Sequence, residues 1–169
     1  MEVKIDMNKS EFTNKVLQAE PTLYHIAKSI VKNDHDCCDA VQEAILKAFV
    51  KLGQLRDERF FKTWLCRILI NECYKIVKSS KFQVTLEENT ATYENQNIGL
   101  YDAIMKLNEK HRLAVTLHYI DGFSVAETAK ILRVPQGTVK SRLNKARVTL
   151  KLELMEEEQY NEKCIPQNT

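Results

Sequence analysis

SVAETAKILRVPQGTVKSRLNKAR, residues 124–147, is the stretch around which the chain is organised. It reads as two short helices joined by a tight turn. Ser124 supplies an N-cap hydroxyl, and Glu127 three positions on completes a capping box, in which each side chain accepts from the other's backbone N–H. Losing such a cap costs about 1 kcal/mol. Val125, Ala129 and Leu132 follow at helical spacing, and small Ala129 lets a second helix cross closely. Pro135 marks the boundary, because proline can open a helix but lacks the N–H needed inside one. The second helix aligns Val139, Leu143, Ala146 and Leu150 on one face. A turn of this kind favours glycine, which adopts a left-handed conformation without a Cβ clash. Here the position falls on Arg133, at a cost of about 1 kcal/mol.

Opposite the apolar face lie Ser141, Asn144 and Lys145, flanked by Lys140, Arg142 and Arg147. Between Pro135 and Lys151 there are five basic residues and no acidic one. A narrow cationic face on a packed helix has the form of a recognition helix in a DNA major groove. An ordinary helical hairpin with a solvated basic face is the competing reading of these residues.

The remaining composition fits an all-α fold. Of 169 residues, 44% are hydrophobic, and only 4 Gly and 3 Pro interrupt them. No alternating run is long enough for a convincing sheet. The net charge of +2 says little, but its distribution says more. Residues 62–81 carry five basic residues against Glu72, residues 82–99 carry three acidic and no basic ones, and residues 152–169 carry five Glu against Lys163. Basic blocks separated by acidic ones suggest two surfaces for nucleic acid. Five cysteines without a regular framework, and no signal peptide, predict a reducing cytoplasm. No apolar run approaches the roughly 18 residues needed to span a bilayer, so no membrane insertion is expected.

Taken in order, residues 1–9 lack periodicity. Ser10 or Asn8 caps a helix carrying Phe12, Val16 and Leu17, and Pro21 is expected to start another with Leu23, Ile26, Ala27 and Ile30. Asp36 is expected to cap a third, burying Cys37, Val41, Ala44, Ile45, Ala48 and Leu52. Residues 53–59 read as a polar loop and 60–79 as a long helix with Trp64, Leu65, Ile68, Leu69, Ile76 and Val77 inward. Residues 82–99 read as a flexible linker, since so long an unstructured connection is uncommon within one compact domain. A helix over 100–107 and one capped by Asn108 lead to Asp121-Gly122, a left-handed stop. The last helix is expected to end near Met155. The predicted organisation is a helical domain over 1–81, the linker 82–99, a helix-turn-helix domain over 100–156 and an acidic tail over 157–169.

Four motifs occur in order: Asp39-Ala-Val-Gln-Glu43, Phe61-Lys-Thr-Trp-Leu65, Arg67-Ile-Leu-Ile-Asn71 and Gly137-Thr-Val-Lys-Ser-Arg142. Together, over about residues 10–155, they resemble the sigma-70 family, specifically its extracytoplasmic-function (ECF) members. The resemblance implies two helical domains, sigma-2 and sigma-4, and a non-enzymatic role in transcription initiation, often stress-responsive, without a cofactor. It implies core RNA polymerase as partner, through its clamp and flap, with Asp39, Gln42, Glu43 and Lys47 on the clamp-docking helix. It implies promoter DNA at two places. Asn71, Lys75, Lys78 and Lys81 would meet the −10 element, although many family members are acidic where Lys75 stands. Gln136, Thr138, Lys140, Ser141, Arg142, Asn144, Lys145 and Arg147 would meet the −35 element. It also implies control by an anti-sigma factor, commonly membrane-bound.

Two other readings remain from the residues themselves. One is a helix-turn-helix regulator whose N-terminal domain senses a signal; it leaves the second basic block without a role. The other is a metal protein using His35, Cys37 and Cys38, but adjacent cysteines lack the usual zinc spacing, and no Ser/His/Asp, P-loop or HExxH pattern is present. Trp64 invites base stacking, yet its place in an apolar stripe favours packing.

Overall fold

The computed structural model describes the backbone of residues 7–80 and 98–164, and the side chains of 7–79 and 99–155. Lys81, most of the predicted linker and the side chains of the acidic tail lie outside the described residues. Among those described, the secondary structure is helical with no strand, as the composition predicts.

Helix α1 spans Lys9–Ile30. Asn8 caps it, accepting from the Glu11 N–H at 2.9 Å while Glu11 accepts from the Asn8 N–H at 3.1 Å. The break expected at Pro21 does not occur; the proline sits inside one continuous helix. It lies on the exposed side, where water can satisfy the carbonyl it deprives of a donor. Ala19, Leu23 and Ile26 meanwhile hold both segments to the core. Helix α2 spans Asp34–Val50, and its cap is Asn33 rather than Asp36. Asn33 accepts from the Asp36 N–H at 2.7 Å, and its side-chain amide donates to the Asp36 carboxylate at 2.6 Å.

Residues 52–60 form two short 3-10 turns rather than an irregular loop, anchored by buried Leu55. Helix α3 spans Phe61–Ser80. Ala40, Ala44 and Ala48 of α2 are fully buried, and their small size lets α3 approach with Leu65, Cys66, Leu69 and Cys73. Trp64 is half-buried against the same core, its ring 6.1 Å from that of Phe61, which favours packing over base stacking.

The second body comprises α4 (Ile98–Lys106), α5 (Glu109–Val115), α6 (Val125–Leu132) and α7 (Gln136–Cys164). Asn108 caps α5 as expected. After α5 the chain makes a π turn over Thr116–Ile120, and Gly122 at φ 74° ends it. Its core joins Leu107, Ala114, Val115, Ala129, Val139, Leu143 and Ala146. Helix α7 runs well past Met155. The two bodies are not held apart: Leu113, Leu117, Phe123 and Ile131 pack into the core built by α1–α3.

Candidate nucleic-acid interface

The helix-turn-helix forms as its sequence dictates. The Ser124 N–H donates to Glu127 at 2.9 Å, and the Glu127 N–H donates to Ser124 Oγ at 3.2 Å. The Ser124 hydroxyl, donating to the Glu127 carboxyl at 2.7 Å, and after it the Ser124 N–H hold that carboxyl below its ordinary pKa. Arg133 takes the left-handed turn at φ 55°, ψ 45°. Helix α7 then buries Val139, Leu143 and Ala146 and leaves Gln136, Lys140, Ser141, Asn144, Lys145 and Arg147 exposed. Thr138 and Arg142 are half-buried. The result is a cationic, hydrogen-bonding face that can meet phosphates and base edges.

A second cationic surface is a groove of about 430 Å³ between α2 and α3. Asn71, Lys75 and Lys78 line it, together with Lys47, Lys51, Ile68, Glu72 and Tyr74. Glu72 is nearly buried and accepts from Lys47 at 2.6 Å and Lys75 at 2.9 Å. Burial raises the Glu72 carboxyl pKa, but the two lysine hydrogen bonds more than reverse this, and the net shift is downward. Hydrogen bonds to Glu43 and Glu72 push the Lys47 pKa upward. The sequence reading did not include Lys51 and Tyr74. Lys47 and Lys51 are one turn apart, as are Asn71 and Lys75, so the facing rows were available as a signal.

Asp39, Gln42 and Glu43 lie exposed on α2. Lys47 is set differently from them: it is committed to ion pairs with Glu43 at 2.8 Å and Glu72 at 2.6 Å. Leu46 and Val50 were not foreseen on this face, yet they are 63% and 82% exposed. Helical spacing places both beside Glu43, giving the acidic surface an apolar centre. Cys37 is turned away into the core, its thiol pKa pushed up to about 11 by burial. His35 gathers instead with half-buried Asp36 and exposed Asp39, not with a pair of cysteines.

The seam between the bodies brings the two surfaces together. Arg112 is buried; its Nε donates to the Ser29 carbonyl at 2.7 Å, and Nη1 donates to those of Met105 at 2.6 Å and Leu107 at 3.0 Å. His25 Nδ1 lies 2.9 Å from Asp121. Burial raises the Asp121 pKa, against the lowering pull of His25. Lys62 stacks over Phe123 at 4.9 Å, and Lys130 over Phe60 at 5.2 Å. Burial, and after it the Glu109 carboxylate across the seam, push the Tyr74 hydroxyl up to about 12. A cavity of about 200 Å³ there is lined by Arg67, Asn71 and Tyr74 from α3 and by Arg133 and Arg142 from the helix-turn-helix. Arg67 stood in a quoted motif but not among the predicted site residues.

Comparison with known proteins bears on the family of both bodies. The family described as Sigma-70 region 2 matches residues 16–82, and that described as Sigma-70, region 4 matches residues 98–150. The ECF RNA polymerase sigma factor SigM of Mycobacterium tuberculosis is 33% identical over 136 residues, covering 76% of this chain and 69% of that one. SigW of Bacillus subtilis is 28% identical over 154 residues, covering 78% and 82%. Among solved structures, the sigma factor RpoE of Bartonella quintana, in complex with the anti-sigma factor NepR, superposes with a TM-score of 0.77. It is 28% identical, with 86% of this chain and 97% of that one covered.

Proposed function

The chain belongs to the sigma-70 family as an ECF RNA polymerase sigma factor, and from that premise we propose how its surfaces divide the work. As a sigma factor it supplies no catalytic group; chemistry belongs to the polymerase. Residues 1–81 act as the sigma-2 domain and 100–156 as the sigma-4 domain. Helix α2 docks the polymerase clamp through Asp39, Gln42 and Glu43, with Leu46 and Val50 as the apolar centre of the contact. Lys47 contributes by orienting Glu43.

The α2–α3 groove takes the −10 strand. A base drawn from the stack needs a pocket, and its strand needs cations. Asn71 offers donor and acceptor to a base edge, while Lys75, Lys78 and Lys81 orient the phosphates. In α7, Lys140, Ser141, Arg142, Asn144 and Lys145 enter the −35 major groove, Gln136 and Thr138 approach it at the helix start, and Arg147 holds the backbone. The observation that supports this most is the exposed cationic face of α7 over a fully buried Val139, with a second cationic groove on α3. Two modest DNA contacts joined through the polymerase act by effective concentration.

An anti-sigma factor is the expected regulator, by analogy with the NepR-bound relative. Its partner surface includes the exposed faces of both bodies. Among the described residues no helix is long and apolar enough to cross a membrane. By its family the chain would act in the cytoplasm, with any membrane link made by that partner. Runoff transcription with core polymerase on a promoter library tests the proposal. Discrete transcripts requiring no other sigma factor are expected. A requirement for a second sigma factor would instead favour a helix-turn-helix regulator.

A further inference from the structure

Glu72 has no place in the division of labour above, yet among the described residues it is the one carboxylate lining a groove that also holds four lysines. Its side chain is 8% exposed, and both oxygens are used: Oε2 by Lys47 of α2 at 2.6 Å, Oε1 by Lys75 of α3 at 2.9 Å. We propose that Glu72 is a positioning residue that sets the cationic charge of the groove and aims Lys47 and Lys75 within it, thereby limiting sequence-independent binding of a single DNA strand next to Asn71. The inference rests on the reading of α3 as DNA-facing.

The physical argument concerns competition. Four lysines around about 430 Å³ would hold any passing strand through its phosphates, and such contacts carry no sequence information. A carboxylate fixed on the buried side of the groove offsets one of those charges permanently. A phosphate approaching Lys75 must share it with Glu72. Selection then falls on the group beside it, the exposed Asn71 amide. Because Glu72 bonds to both helices, it also fixes the spacing of the two lysine rows.

The test measures salt dependence. Full-length chain is titrated against a fluorescein-labelled, mixed-sequence 20-nucleotide single strand, from about 25 to 200 mM KCl. Each phosphate contact on a single strand contributes about 0.7 to the slope of log K against log salt. Glu72→Gln should steepen the slope by about 0.7, an extra loss of about fourfold in affinity over that range. The double variant E72Q/K75Q should return to the wild-type slope, which a merely loosened helix pair would not do. Lys75→Gln alone should flatten the slope clearly less than Lys78→Gln, because Lys75 is already offset. An unchanged slope in E72Q, an unrestored double variant, or equal effects of K75Q and K78Q overturns the assignment. No effect of K78Q would sink the DNA-facing reading of α3 itself.

Discussion

Replacing Arg133 tests the turn on which the helix-turn-helix depends. Its φ of 55° and ψ of 45° put a branched chain of atoms on a left-handed backbone, where the Cβ crowds the carbonyl oxygen at about 1–2 kcal/mol. The turn is nevertheless required. The Arg133 N–H and the Val134 N–H both bond to the Ala129 carbonyl, the second at 3.1 Å. Glycine removes the crowding but widens the unfolded ensemble, which returns about 0.4–1 kcal/mol. Arg133→Gly should therefore exceed Arg133→Ala in stability by about 1 kcal/mol, or 2–4 °C in Tm for a chain of this size. The alanine variant is the necessary reference, since both substitutions also remove a guanidinium from a cavity that Arg67 and Arg142 share. Calorimetry of the three proteins at one pH and salt concentration gives the answer. A glycine variant that melts at or below the alanine variant would mean that the turn is not left-handed in solution, and the crossing of α6 and α7 would need another explanation.

Ser124→Ala should lower stability by about 1 kcal/mol through loss of the cap, read as a shift in urea midpoint. The advantage of wild type over Glu127→Gln should be full above the ordinary Glu pKa of 4.5 and fade as pH falls through the lowered folded value; a pH-independent difference would refute the capping origin. Lys140→Gln in holoenzyme should reduce the duplex salt slope by about 0.9 on all promoters, while Arg142→Ala should cost about 1–3 kcal/mol at one base position and relax selection there. Leu46→Asp should weaken association with core polymerase without moving Tm, because the side chain is already in solvent; retained affinity would remove α2 from the docking surface.

Local signals were legible because they are local. Ser124 with Glu127, Asn108, Gly122 and Arg133 each announce a chain reversal or cap through their own backbone chemistry, and each is found where expected. Pro21 was misread because a proline's effect depends on whether its face is solvated, which one segment does not reveal. Asp36 lost the cap to Asn33 because both side chains suit it, and only the position of the preceding helix decides. The pairing of Lys75 with Glu72, three positions apart on one helix, was available from spacing, but that of Lys47 with Glu72 was not. Lys47 and Glu72 are 25 positions apart, and only the close approach allowed by Ala40, Ala44 and Ala48 brings α2 and α3 together at that point. Site residue types were readable; their pairing across helices was not.

The seam poses a geometric problem for the proposed reading of two DNA elements. Asn71 and Arg142 line one cavity of about 200 Å³, so they stand close together. Two DNA elements read by separate modules are at least one helical turn apart, about 34 Å. If α3 and α7 read two such elements, as proposed, the arrangement described here cannot engage both at once, and the bodies would have to separate on the promoter. Separation breaks the Arg112–Ser29 bond, the His25–Asp121 contact, and the burial of Phe123 and Ile131 against α1–α3. The cost falls on a partner that binds both bodies when apart, and core polymerase is the proposed one. Exposed Cys38 and a cysteine introduced at Asn144, in a Cys164→Ser background, report the distance by energy transfer. Cys37, Cys66 and Cys73 resist labelling, since all three are buried and their thiols are pushed up to about 11 or 12. Transfer should be efficient in the free chain and fall sharply in the polymerase–promoter complex. Unchanged transfer in that complex would mean that α3 and α7 do not read two elements of one promoter.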